Sequence, residues 1–337
     1  MKAYQIGPEF GREHLKSIER AVPEPGPGEV LIQMRAVSLN SRDLGVINGF
    51  YFPSLTEPLI PVSDGVGEVI RIGKGVTRFQ EGERVSAIFT QSWLSGEATR
   101  ANWRSTLGGP LDGLLSEYVV LPEEGLVRVP EHLTNAEAAT LPCAAVTAWH
   151  AIVEEGEVKA GDTVVLQGTG GVSIFALQFA KLLGASVIVT SSQEEKGARA
   201  LSLGADHFLN YKTRRDWEQG VLDITEGRGA DHIVDLGGAD TLNRSIRALR
   251  VGGRISLVGL LSGPSVEGFE IVPAIQRRAR LQAVNVGSRS MFETMNRAIA
   301  LHGLRPVVDR IFPFAEAVEA FRYMERESYF GKLVIEF

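Results

Sequence analysis

The sequence predicts an α/β protein: a strand-rich first part, then a doubly wound parallel sheet. Three observations carry this. From Thr163 onward, short apolar runs alternate with stretches of helical spacing. Before residue 125, half-buried strand patterns are separated by glycine and proline turns. Between TVVLQ and the next apolar helix lies Gly168-Thr169-Gly170-Gly171-Val172-Ser173, a glycine-rich strand-to-helix turn. Strand–helix alternation at this spacing implies parallel strands covered on both faces.

In chain order, PEPGPGE (23–29) is too rich in proline to be anything but loop. EVLIQMRAVSL (29–39) and GVGEVIRIG (65–73) read as strands, as do ERVSAIF (83–89) and GLLSEYVVLP (113–122). Residues 90–113 have little periodicity and read as one long loop, a kind often functional; Trp93, Trp103 and Arg104 in it could line a pocket or form an exposed flap. The second part continues with TVVLQ, a helix over 172–183, SVIVT, a helix over 194–203 and DHFLN. DWEQGVLDITE, DHIVDLG, TLNRSIRALR, GRISLVGL and RARLQAVNV follow. The tail from Ser288 holds two helices and the strands PVVDRIF and KLVIEF, which do not extend the parallel series and are expected to rejoin the first part.

With 337 residues the chain can bury a large core in two domains. A net charge of -6 argues against nucleic acid or an anionic membrane as partner. Cys143 stands alone, which rules out an internal disulfide and multi-cysteine zinc clusters. No signal peptide is read in MKAYQIGPEF, and no apolar run is long enough to span a bilayer, so a reduced, cytoplasmic setting is expected.

The glycine turn stands in the context a dinucleotide site requires. Gly168 permits the tight bend, while Gly170 and Gly171 let the backbone approach a pyrophosphate. The helix opening near Val172 directs free N–H groups at an anion. Ser173 stands where the third fingerprint glycine belongs and is expected to be tolerated. NAD sites place an acid roughly 20 residues further on; here SVIVT is followed by Ser191 and Ser192, with Lys196 and Arg199 on the next helix. Neutral residues backed by cations favour the 2′-phosphate of NADP(H), although both cations could equally be solvated surface charges.

PEPGPGEVLIQMRAVSLNSRDL, PLIPVSDGVGEVIRIGKGV, LPCAAVTAW, KAGDTVVLQGTGGV, LGADHFLNY, GADHIVDLGG, GGRISLVG and FGKLVI together resemble the medium-chain dehydrogenase/reductase superfamily, in its zinc-free, quinone-oxidoreductase-like branch. The resemblance implies a GroES-like, partly open β-barrel catalytic domain (1–125), a Rossmann NADP-binding domain (126–287) and a return to the catalytic domain (288–337), with the active site in the cleft between. At the positions of the zinc ligands of its metal enzymes, this chain has Asn40, Ser63 and Cys143, with Asp64 beside Ser63. That set is too poor for a catalytic zinc, so no metal is expected. Cys143 reads as a small buried hydrophobe rather than a reactive thiol.

By the same resemblance, Lys196 and Tyr211 touch the 2′-phosphate, although Tyr211 could be an ordinary half-buried aromatic. Thr147 and Asn40 lie near the nicotinamide, and Asn40 could instead serve only a turn. Val258, Gly259 and Leu260, with Val286, Gly287 and Ser288, flank its ribose and ring. Lys332 reaches back from the last strand. Asp43 is read as a cap or as a partner of Arg42. The expected activity is NADPH-dependent, zinc-independent hydride transfer to an α,β-unsaturated carbonyl or quinone, with Asn40 and backbone N–H groups holding the enolate oxygen. Two other readings stay open: a metal-free alcohol or aldehyde dehydrogenase, and a non-catalytic NADPH-binding sensor or structural protein. Family members often pair the last Rossmann strand across a two-fold axis, so a homodimer is expected.

Overall fold

A computed structural model describes residues 1–51, 57–326 and 329–337. The chain separates into two compact units, Met1–Val146 with Val286–Phe337, and Thr147–Asn285. The first unit thus runs some 20 residues past the end of the strand-rich sequence. The reason is local: the helical run that begins at Asn135 opens against the antiparallel strands of its own unit.

The first unit is built on a seven-stranded sheet. Its order is Val308–Pro313, Lys332–Glu336, Glu29–Leu39, Asp64–Ile72, Arg84–Ala87 and Leu126–Arg128, with Tyr118–Pro122 also pairing Glu29–Leu39. Glu29–Leu39 alternates β-branched and long apolar residues and is buried along most of its length, as a central strand must be. The tail supplies two strands of this sheet: Lys332–Glu336 runs antiparallel to Glu29–Leu39, pairing Leu333 with Leu39 and Val334 with Ser38. GLLSEYVVLP forms a strand only over Tyr118–Pro122, because the residues before it bond back to the 60–62 segment. The segment 90–113 is a loop held by contacts within itself and by Arg42 and the Arg289 and Ser290 amides of its own unit. It carries a short 3₁₀ turn at Asn102–Ser105, and Trp93 is buried edge-on against Trp103.

The second unit holds six parallel strands in the order His207–Asn210, Ser186–Ser191, Thr163–Gln167, Ala230–Asp235, Leu249–Leu257, Arg280–Ala283. The chain starts in the middle, builds outward one way, then crosses to build the other way. Its switch point therefore lies between Thr163–Gln167 and Ala230–Asp235, where α/β sheets bind ligands beyond the strand ends. Val165, Ile188, Ile233 and Ile255 pack with Trp217, Val221 and Ile246 from the covering helices. Among the described residues no helix is long and apolar enough to cross a membrane.

Candidate active site

In the first unit, pairing register gathers charged side chains at one end of the sheet. Glu29–Leu39 ends at Asn40. On one flank Ser38 stands opposite Asp64. On the other, the pairing of Leu333 with Leu39, continued by one residue, sets Lys332 beside Asn40. Lys332 is 3% exposed. Its ammonium donates to Asn40 Oδ1 at 2.6 Å and to the Leu39 carbonyl at 2.5 Å. Asn40 is also the N-cap of the short helix Ser41–Ile47. Asp43 accepts the Asn40 N–H at 2.8 Å, while its own N–H goes to the Asn40 carbonyl. The Asn40 carboxamide oxygen thus remains open to the lysine.

Asp64 is fully buried. One oxygen accepts from Ser63 Oγ at 2.7 Å, the other from the Cys143 N–H at 2.9 Å. Burial pushes its carboxyl up, against the pull of Lys332, Ser63, Asn40 and the Cys143 amide. The Asn40 carboxamide lies close enough to favour the Asp64 carboxylate, yet its Nδ2 makes no hydrogen bond of ordinary geometry. Asp43 is also fully buried; its Oδ1 has no partner, and burial raises its carboxyl to about 7. Burial pulls the Lys332 ammonium down, while Asp64, Cys143 and Asp43 favour its charge. Burial and the Asp64 charge push the Cys143 thiol up, so it is no thiolate at neutral pH. Just before Ser63, Val62 holds a left-handed φ of 75° although it is β-branched and buried. Such strain collects at functional sites.

This donor set does not fit a catalytic zinc. Of the matched ligand positions, Asn40 faces an ammonium, Ser63 donates its proton to Asp64, and Cys143 resists ionisation. Zinc wants three protein ligands with lone pairs to give, and among the described residues no three His, Cys, Asp or Glu side chains are placed to hold a metal.

In the second unit, Gly168 turns at φ 75° and Gly170 caps the helix Gly171–Leu182 without any side-chain cap. A Cβ at either glycine would point into open space. The Gly168 N–H is taken by the Thr190 carbonyl, and the open space beside both glycines leaves room for a diphosphate at the helix N-terminus. Thr169 is buried, Gly171 and Val172 half-buried. Ser173 is more than tolerated: its hydroxyl donates to the Gln167 carbonyl at 2.7 Å and ties helix to strand.

Behind the turn lies a network the sequence reading missed. Gln167 Nε2 donates to Asp235 Oδ2 and Ser245 Oγ, and its Oε1 accepts from the Leu236 and Gly237 amides. Asp235 also accepts from Ser245 Oγ, Thr241 Oγ1 and the Gly238 amide. Val258 and Gly259 donate their N–H groups to the Asp235 carbonyl, and a Cβ on Gly259 would meet the Leu236 carbonyl. Leu260 beyond them is exposed. The signal available in sequence was a polar residue closing each of two apolar strands, Gln167 before Gly168 and Asp235 before Leu236 and two glycines.

Ser191, buried, closes its strand, and the Tyr211 N–H bonds to its carbonyl, which places half-exposed Tyr211 alongside. Ser192 and Lys196 are half-buried and Arg199 is exposed. The nearest acid, Glu194, is engaged by Asn210 at 2.5 Å. Thr147 is buried in the second unit, inside a helical run. In the first unit, Val286 takes a left-handed φ of 42°, and a Cβ on Gly287 would press on Val146. Ser288 caps the helix Arg289–His302 by accepting the Met291 N–H. Lys332, also expected at the coenzyme, directs its ammonium to the Leu39 carbonyl and Asn40 Oδ1.

A parallel sheet with an open glycine turn at its switch point, joined in one chain to an antiparallel unit, defines a pyridine-nucleotide oxidoreductase class. Comparison with known proteins agrees. Residues 26–131 match the alcohol dehydrogenase GroES-like domain, and 171–301 match the zinc-binding dehydrogenase family. A zinc-type alcohol dehydrogenase-like protein of Schizosaccharomyces pombe is 41% identical over 333 residues, covering 97% of this chain and 96% of that one. A 2-haloacrylate reductase of a Burkholderia species is 30% identical over 336 residues, covering 94% and 93%. The crystal structure of a putative alcohol dehydrogenase from Sinorhizobium meliloti 1021 superposes with a TM-score of 0.92 at 44% identity, each chain fully covered. The chain belongs to the medium-chain dehydrogenase/reductase superfamily.

Proposed function

We propose that the protein is an NADPH-dependent, zinc-independent reductase that delivers hydride to an α,β-unsaturated carbonyl or a quinone. One observation carries this reading: Asn40 and Lys332 are bonded to one another at the place that the family's metal enzymes give to a ligand. Without a metal to polarise a carbonyl, the favoured substrates are those that spread the incoming negative charge themselves. The Asn40 amide and nearby backbone N–H groups hold the developing oxygen; one such donor is worth about 3 kcal/mol. The activity for which the Burkholderia relative is named, reduction of a 2-haloacrylate, is of this class.

NADPH supplies the hydride. Gly168, Thr169, Gly170, Gly171 and Val172 hold its diphosphate, and neutral Ser191 and Ser192 with Lys196 and Tyr211 accommodate its 2′-phosphate. Thr147, Val258, Gly259, Leu260, Val286 and Ser288 serve its nicotinamide end. The test is NADPH oxidation by purified protein against enones, quinones and 2-haloacrylates, with zinc measured in the same sample. Turnover without stoichiometric zinc supports the reading, and silence across the panel rejects it. The alcohol dehydrogenase names among relatives favour a second reading, alcohol oxidation, which the donor set of this chain would run without a metal and which a secondary-alcohol panel with NADP would reveal.

The working form proposed is a homodimer. Arg280–Ala283 is an edge strand with all four residues exposed, and beside it the helix Ile271–Gln276 exposes Ile271, Val272 and Ile275. An unpaired edge flanked by apolar side chains is best covered by the same edge of a second copy. Native mass spectrometry is expected to give the dimer mass, and a monomer at micromolar concentration refutes it.

A further inference from the structure

We propose that Lys332 is a positioning residue of the reduction: its ammonium stands as a built-in cation among Asp43, Asp64 and Cys143 and, by gripping Asn40 Oδ1, turns the Asn40 amide N–H groups toward a substrate oxygen. This rests on the reductase reading above and adds to it the residue through which Asn40 acts.

An asparagine side chain offers an acceptor at one end and donors at the other, and an ammonium can only donate. Lys332 at 2.6 Å therefore settles which end is which: Oδ1 faces the lysine and Nδ2 faces away. A second bond, to the Leu39 carbonyl, holds the ammonium still. Nδ2 is buried, on a side chain only 9% exposed, and it leans on the Asp64 carboxylate without a hydrogen bond of ordinary geometry. Buried donors in native proteins are almost always well paired, so a donor held this loosely is placed to pass to a better acceptor, the oxygen of an arriving substrate. Asp64 across the sheet gives Lys332 its countercharge, and the Asp43 carboxyl and the neutral Cys143 thiol complete the titratable groups around it. The chain is shaped to deliver the lysine: Gly331 turns at φ 83°, and a Cβ there would lie 2.4 Å from the Val307 carbonyl. The antiparallel register with Glu29–Leu39 then sets Lys332 against Asn40.

The experiment compares Asn40→Ala, Lys332→Met, Lys332→Arg and the Asn40→Ala/Lys332→Met pair, reading kcat on an active enone, the NADPH dissociation constant and zinc content. Asn40→Ala is expected to lower kcat about 100-fold. Lys332→Met lowers it at least roughly tenfold, and the pair falls no further than Asn40→Ala alone, since groups acting as a unit are not additive. NADPH binding changes less than about twofold, and Lys332→Arg recovers part of kcat. Should Lys332→Met fail to fold, Lys332→Gln, which loses the charge but keeps a donor, is read for the same fall in kcat. Wild-type kcat in the lysine variant, losses that multiply in the pair, or stoichiometric zinc in the wild type would overturn the proposal. Wild-type protein inactive on every substrate overturns both readings; an active wild type with an undiminished Lys332→Met overturns this one alone.

Discussion

Two buried aspartates, one in each unit, show opposite designs. Asp235 and Asp43 are both wholly buried. Asp235 accepts four hydrogen bonds, from Gln167, Ser245, Thr241 and the Gly238 amide, so its carboxylate is solvated by protein. Asp43 accepts the Asn40 amide and leaves Oδ1 unpartnered, and burial lifts it to about 7. The first is a strut that shapes a loop behind an anion cradle. The second belongs to a charge cluster left partly unsatisfied, the condition in which side chains retain capacity for chemistry. On the proposed reading, binding rests on backbone amides and a closed network, and reactivity on buried charge held short of full compensation.

The largest expected effect sharpens this contrast through pH. A raised acid favours the folded state only while neutral, so its contribution is full below about pH 4 and is lost as pH climbs through about 7. Asp43→Asn does not titrate. Its unfolding free energy relative to wild type should therefore rise by roughly 3–4 kcal/mol between pH 4 and pH 8 in urea titrations. A constant difference across that range would mean the two aspartates are alike. Next, Asp235→Ala strands buried donors and should cost about 3 kcal/mol of stability at any pH near neutrality, measured the same way.

Gly170→Asp should separate binding from folding. Asp is a favoured N-cap and its Cβ meets open space, so thermal stability holds or rises slightly. Its carboxylate repels a diphosphate, and NADPH affinity by calorimetry should fall about 100-fold. Equal affinity would place the coenzyme elsewhere. The smallest effect is in coenzyme choice: Lys196→Ala should weaken NADPH about tenfold and leave NADH unchanged. A matched loss for both coenzymes would remove Lys196 from the 2′-phosphate.

Much of the second unit was legible in sequence because its strands are buried on both faces. TVVLQ and SVIVT have no polar alternation to confuse them, and the glycine turn is local, with every residue it needs lying within six positions. The helical stretch Asn135–Glu154 went unread. It contains π-helical turns at Leu141–Ala145 and His150–Glu154, and it is apolar nearly all round, so neither helical nor strand period stands out. The resemblance, not any local pattern, singled out Ser288; that its hydroxyl also caps the helix Arg289–His302 is visible only in the structure.

Residue types alone determined the α/β class, the strand–glycine–helix turn and the absence of an acid directly after SVIVT, since each is a property of contiguous residues; that histidine and cysteine are gone from two zinc-ligand positions is what the family resemblance implies. Tertiary structure alone decided which groups hold the Lys332 ammonium, that Asp43 is left half-compensated and that Gln167 braces Asp235. Those facts follow from strand register and burial, which join residues as far as 293 positions apart and set the solvation of each charge.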